Sequence, residues 1–232
     1  MMIRELSESF NELKEDPNTK VLIISAKGKS FCAGGDLDWM KEQIFSDRKT
    51  RIEEARKLAD LLYKMYQFPK PLIAKVEGNA FGGGIGIISV CDVAISIENI
   101  KLALTEAKLG LIPATISPYV ISKVGSSNGI DLFTSARTFY PPEAKNIGLI
   151  KSFCNQERID NIIKEETDSI LINGPSAVIA SKNLVRKLSS KIDENTIKFT
   201  VEALADVWEN PESIEGINAF FEKRKPNWIM EK

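Results

Sequence analysis

Apolar residues in this chain fall into two spacings. Ile3, Leu6, Phe10 and Leu13 recur at helical intervals over residues 1–15. Ile52, Ala55, Leu58, Ala59, Leu62, Met65 and Tyr66 do so over 48–66. Both patterns predict amphipathic helices, and Pro69 and Pro71 end the second. Between them, the short run Val21-Leu22-Ile23-Ile24 predicts a strand over 20–25. Pro71-Leu72-Ile73-Ala74-Lys75-Val76 predicts another over 71–76. Helices are expected over 36–43 and 83–90, a strand over Asp92-Val93-Ala94-Ile95, and an extended piece over Lys101-Leu102-Ala103-Leu104. From about residue 116 the chain reads as mostly helical, with helices near 116–123, 128–135, 142–147, 157–171, 175–190, 194–208 and 211–222. No Ser/Gly linker or low-complexity tract divides the two halves. The pattern predicts an α/β domain with a helical C-terminal extension.

Two glycine-rich turns interrupt this pattern: Phe31-Cys32-Ala33-Gly34-Gly35-Asp36 and Ala80-Phe81-Gly82-Gly83-Gly84. Each follows a strand-like run and precedes a predicted helix. Such a turn leaves backbone N–H groups pointing outward at the helix start. Two turns side by side can aim two N–H groups at one oxygen, which is how the oxyanion of an enolate or a tetrahedral species is held. Asp36, just before a helix, is expected to be its N-cap.

Composition narrows the chemistry. A chain of 232 residues, 43% hydrophobic and 27% charged, is ordinary for a globular protein that buries a core. A net charge of -1 gives no sign of nucleic-acid or anionic-membrane partners. No apolar run reaches membrane-span length, and the first residues carry no signal-peptide core. Three cysteines, Cys32, Cys91 and Cys154, stand at no metal-ligand spacing. They predict reduced thiols in the cytoplasm and no metal site. The complete absence of histidine excludes Ser-His-Asp and Cys-His machinery. Proton transfer must use a carboxylate, Tyr, Lys, Cys or water. Glu106, flanked by Leu104, Ala107 and Leu109, is the best candidate, because an apolar setting lifts a carboxylic acid toward neutrality. On these residues alone, a solvated glutamate at a helix start, favoured there by the helix dipole, is the stronger reading.

Phe31-Cys32-Ala33-Gly34-Gly35-Asp36-Leu37 resembles the F-C-A-G-x-D-L segment of the crotonase superfamily, the enoyl-CoA hydratase/isomerase family. Ala80-Phe81-Gly82-Gly83-Gly84 with Cys91-Asp92 is similar to its A-x-G-G-G…C-D segment. Thr105–Pro113 is similar to E-x-x-L-G-x-x-P, and Ala219–Pro226 to the family's ending. The resemblance implies a spiral of strand–strand–helix turns, with an acyl-CoA-binding core over 1–165 and a helical trimerisation region over 166–232. It implies acyl-CoA thioester substrates, no cofactor beyond that coenzyme A, and a homotrimer or a hexamer made of two trimers. It places the thioester oxygen at the N–H groups of Ala33 and Gly83 and the acid/base at Glu106. It places substrate-binding positions at Gly34, Gly35, Asp36, Leu37 and Pro113, with the backbone of 33–37 at the adenine end of CoA.

Three departures refine the resemblance. Gly86 stands where well-known hydratases carry a second glutamate. Ala114-Thr115-Ile116-Ser117-Pro118-Tyr119-Val120 replaces the usual glycine-rich stretch. The opening strands are expected to be missing, because the chain starts at what is normally the first helix. The first two departures are similar to the methylglutaconyl-CoA hydratase branch. There, a substrate carboxylate, Tyr119 or Ser117 would help orient water. Three activities remain open: a hydratase, a Δ3,Δ2-enoyl-CoA isomerase needing one carboxylate, and a non-catalytic acyl-CoA-binding subunit.

Overall fold

Among the described residues, eight short strands form two four-stranded sheets, and each pass of the chain contributes one strand to each. The computed structural model describes residues 1–189 and 192–229. The first sheet has the order β1 (Leu22–Ile24), β3 (Leu72–Val76), β5 (Val93–Ile97), β8 (Ser152–Cys154), all parallel. The second has the order β2 (Ser30–Cys32), β4 (Asn79–Phe81), β6 (Leu102–Ala103), β7 (Thr138–Phe139), parallel except for the final antiparallel pair. A helix follows each of the first three strand pairs and returns the chain to start the next, and in the fourth a helix lies between the two strands. This is the expected spiral.

The helices are α1 (Met2–Glu15), α2 (Leu37–Phe45), α3 (Arg48–Tyr66), α4 (Gly83–Val90), α5 (Ser117–Ser135), α6 (Pro141–Asn146), α7 (Ile159–Leu171), α8 (Pro175–Leu188), α9 (Glu194–Trp208) and α10 (Pro211–Phe221). Asp47 caps α3 by accepting a bond from the Thr50 N–H at 2.8 Å. The apolar face of α3 then buries Ala59, Leu62 and Met65 completely. It meets Leu72 and Ala74 of β3 and Ile85 and Ile88 of α4 in one core. Each fully buried Leu, Ile or Met side chain among these contributes about 1.5–3 kcal/mol of transfer free energy. Phe10 of α1 closes this core edge-on against Phe68, with ring centres 5.2 Å apart.

The expected helices hold within a residue or two, and Gly125, with φ 76 and ψ 163, breaks α5 where two helices were expected. The last residue of the expected 175–190 helix lies outside the described residues, as do 230–232 at the end of the expected C-terminal region. The mostly helical second half also holds two strands that the pattern does not predict: β7 and β8 lie within it, and β8 extends the first sheet at Ile95↔Ser152. β2 and β4 also went unread as strands. All four are two or three residues long, too short for a period to register.

The C-terminal helices reach back over the front of the molecule. α9 packs along α3, and Ile197 and Val201 enter the main core. The buried Arg51 locks this arrangement. Its guanidinium donates to the carbonyls of Gln43 (2.9 Å), Ile44 (3.1 Å) and Trp208 (3.2 Å). Those carbonyls end α2 and α9, so the negative poles of two helices hold one cation. α10 docks on the short 3-10 helix Glu106–Leu109, where Gly110 approaches the Glu212 backbone too closely for a side chain.

Candidate active site

Strands β2, β4 and β6 run side by side in one direction, with Cys32 opposite Ala80 and Phe81 opposite Ala103. Their C-terminal ends therefore open on one edge of the sheet, the usual place for a ligand in parallel architectures. Ala33 follows the first strand, Gly82 and Gly83 follow the second, and Glu106 follows the third.

Gly82 makes the turn from β4 into α4. Its φ of 49 and ψ of -115 suit glycine, its N–H continues the ladder to the Ala103 carbonyl at 3.1 Å, and its carbonyl accepts from Ile85 (2.9 Å) and Gly86 (3.3 Å). Gly83 is the first residue of α4, so its N–H is one of those a helix leaves unpartnered. No turn or cap bond among the described residues takes up the N–H of Gly83 or of Ala33.

Two close approaches bring the parts together. A β-carbon added at Gly84 would lie 2.5 Å from Cys32 Cβ, so the loop carrying Ala33 rests directly on the first turn of α4. A β-carbon added at Gly82 would lie 2.9 Å from Glu106 Oε1, so the carboxyl sits against the strand-to-helix turn. Glu106 is half-buried, yet its Oε2 is shut off from solvent and has no hydrogen-bond partner among the described residues. Burial raises its pKa to about 7, against a smaller lowering by its own backbone N–H.

This shift carries a stability consequence. Unfolded, the group titrates near 4.5; folded, near 7. Between those values the native state binds more protons, so stability falls as pH rises from 4.5 to 7, and the penalty is complete above that. Glu106→Gln removes the penalty. At pH 8 the variant is expected to be more stable than the parent by up to about 3 kcal/mol, with the difference vanishing toward pH 4.5. Denaturant unfolding at pH 5 and pH 8 measures it, and a pH-independent difference would contradict a buried, raised carboxyl.

The remaining predicted positions divide. Asp36 caps α2 as expected, accepting from the N–H groups of Asp38 and Trp39 at 3.0 Å each. Ala33, Gly34, Gly35, Asp36 and Leu37 lie exposed along the rim of this edge, whereas Pro113 is buried in the loop before α5. Met40 joins Leu111, Trp208 and Ile217 in a small core beneath the rim. Cys91 is a buried thiol. Tyr119 is placed away from the site: its ring packs on Tyr66 toward the other end of α4. The Ser117 hydroxyl donates to the Ala114 carbonyl at 2.8 Å. Sequence reasoning did not single out Ile116. A β-carbon at Gly86 would lie 2.4 Å from its Cγ2, so the branched side chain fills the place that a longer residue at 86 would need.

The enoyl-CoA hydratase/isomerase family profile matches residues 1–231. The chain belongs to the enoyl-CoA hydratase/isomerase family. The short-chain-enoyl-CoA hydratase of Clostridium acetobutylicum is 29% identical to it over 229 residues, spanning 96% of this chain and 85% of that protein. The solved structure of an enoyl-CoA hydratase from Mycobacterium avium superposes with a TM-score of 0.88 at 27% identity, covering 98% of this chain and 86% of the other. One from Shewanella pealeana gives 0.79 at 37% identity, covering 98% and 85%. These likenesses agree with the two-sheet spiral and its C-terminal helices. Within the family, Gly86 backed by Ile116 makes this chain one whose α4 carries no carboxylate toward the site.

Proposed function

We propose that the chain is an acyl-CoA hydratase that adds water to an α,β-unsaturated thioester. The observation that carries this reading is the enclosed Glu106 carboxyl lying against the Gly82 turn, beside a loop packed on the same helix start. The N–H groups of Ala33 and Gly83 hold the thioester oxygen. The water oxygen bonds to Cβ, the π electrons move through Cα onto that oxygen as an enolate, and reprotonation at Cα completes the addition. Glu106 accepts the proton from water and returns one to carbon, which a pKa of about 7 suits in both directions. Gly34, Gly35, Asp36 and Leu37 line the path of the CoA portion, and Pro113 shapes the loop behind Glu106. No cofactor is required apart from that CoA.

With position 86 closed by Ile116, water has one protein carboxylate to hold it. A substrate bearing its own carboxylate, as a methylglutaconyl-like thioester does, would supply the second anchor. The protein is further proposed to work in the cytoplasm as a homotrimer or a dimer of trimers. Exposed Leu184, Leu188 and Phe199 in the 166–232 region give that assembly an apolar surface to cover.

The test is a product assay on straight, branched and carboxylated enoyl thioesters. A 3-hydroxyacyl-CoA formed from the α,β-unsaturated substrate is the expected result, fastest with the carboxylated one. Conversion of β,γ- to α,β-unsaturated thioester without water uptake would favour the isomerase reading, to which the single carboxylate lends itself. Tight thioester binding with no turnover would leave a binding subunit.

A further inference from the structure

A cavity of about 400 Å³ lies at the C-terminal end of α4, opposite the end that carries Gly83. Tyr66, Asp92, Tyr119, Lys123, Lys182 and Arg186 line it. Among the described residues, Asp92 is the one carboxylate in the lining, and its duties are full. Oδ2 accepts from the Leu72 N–H at 2.8 Å and from Lys182 Nζ at 2.5 Å, while Oδ1 accepts from Arg186 Nη2 at 3.1 Å. Lys182 also donates to the Lys70 carbonyl, which ties α8 to the start of β3. Among the described residues, Lys123 donates a hydrogen bond only to the Asp92 backbone carbonyl, at 3.2 Å. The guanidinium of Arg186 lies over Tyr66, with Cζ 4.2 Å from the ring centre, a cation–π contact.

Three cations thus face one carboxylate, an excess of two positive charges in a partly enclosed space. Asp60, a carboxylate outside the lining that acts on Tyr119, is engaged by Arg56 at 2.6 Å. Among the described residues, hydrogen bonds use two of the three donors of Lys182, one of Lys123 and one of five on Arg186. Concentrating like charge without compensation is costly in a region of low dielectric. That cost shows in the lysines: burial pushes Lys182 down to about 8 and lowers Lys123 as well, with the neighbouring Arg186 adding to both shifts. A structural tie between α8 and β3 needs Asp92 and Lys182; it does not need Lys123 and Arg186 as well.

We propose that this cavity binds a phosphate dianion, free or as the monoester of a small organic molecule, at a site separate from the thioester edge. Two surplus cations match the charge of about -2 on such a group near neutral pH. The spare Nη donors of Arg186 suit its oxygens, and the ammonium of Lys123 supplies a second point. The tyrosine rings, Val90 and Pro71 offer an apolar wall on which an organic remainder can rest.

Calorimetric titration of the full chain with inorganic phosphate and with phenyl phosphate tests the proposal. Saturable one-to-one binding is expected. Lys123→Met, which keeps the aliphatic stem, is expected to weaken it about tenfold, the loss of roughly one charge-assisted contact. Asp92→Asn is expected to strengthen it, since it removes the competing carboxylate while retaining an acceptor for the Leu72 N–H. Tighter binding of phenyl phosphate identifies the monoester as the ligand, and equal binding identifies free phosphate. Glu106→Gln leaves the affinity unchanged if the two sites are separate. Absence of saturable binding, equal affinity in both cavity variants, or displacement of phosphate by 3′-dephospho-coenzyme A, which carries no phosphate monoester, overturns the assignment.

Discussion

Glu106→Gln is expected to lower kcat on an α,β-unsaturated thioester by about 10²–10⁴-fold, the usual worth of one acid/base group. KM is expected to change little, because the amide has nearly the volume of the carboxyl and the oxygen-binding N–H groups stay in place. The size of the effect follows from the geometry. Ile116 closes the place beside Gly86, so no neighbouring carboxylate on α4 takes over the proton. The enclosure that raises the pKa of Glu106 also keeps solvent from substituting for it. In the parent protein kcat/KM depends on the ionised form and should fall as pH drops below about 7. Steady-state kinetics from pH 5 to pH 9 on both proteins measure both effects. A variant within a factor of a few of the parent, or a parent profile with no titration near neutrality, would remove Glu106 from the mechanism.

The second large effect is expected at Gly84, which touches no substrate in the proposed reaction. Its missing side chain lets Cys32 Cβ lie against α4, at 2.5 Å from where a methyl group would stand. Gly84→Ala must push the Cys32–Ala33 loop away from the helix start, or tilt the helix. Overpacking of this kind costs about 1–3 kcal/mol of stability. Misaiming one of two oxyanion donors by about 1 Å costs on the order of 10²-fold in kcat/KM. Activity therefore falls by much more than the folded fraction does. The partner residue supplies a decisive control: the obstacle is a β-carbon, so Cys32→Ala leaves it in place and Cys32→Gly removes it. Gly84→Ala with Cys32→Gly should recover most of the lost rate, and Gly84→Ala with Cys32→Ala should not. Recovery by both, or by neither, would show that the contact between the two loops does not align the donors.

The two predictions draw on different depths of the sequence. Helices such as α1 and α3 were legible because a face of Ile, Leu, Phe and Met repeats over several turns. β2, β4, β7 and β8 were not, because two or three residues carry no period and become strands only through the neighbours they pair with. Of the candidate site, the glycine turns and the apolar flanks of Glu106 could be read in one dimension. The exclusion of water from its Oε2 could not, since that depends on the packing around a short 3-10 helix that α10 buttresses from more than a hundred residues away. The water-orienting role expected for Tyr119 failed for a related reason: a residue near Glu106 in sequence lies toward the opposite end of a helix in space.

By itself, then, the order of residues determined that this protein alternates strands with helices, that two strand-to-helix turns free backbone donors, and that any proton in a chain without histidine must be moved by a carboxylate, Tyr, Lys, Cys or water. Those properties are local: they follow from spacing, backbone freedom and side-chain chemistry. Only the tertiary structure decided that Cys32 rests on Gly84, that Glu106 leans on Gly82, that Ile116 shuts the space beside Gly86, and that three cations crowd one aspartate behind α4. The reason is that close approach and desolvation belong to pairs of distant segments, and the parallel sheet that joins them brings such segments within a few ångströms.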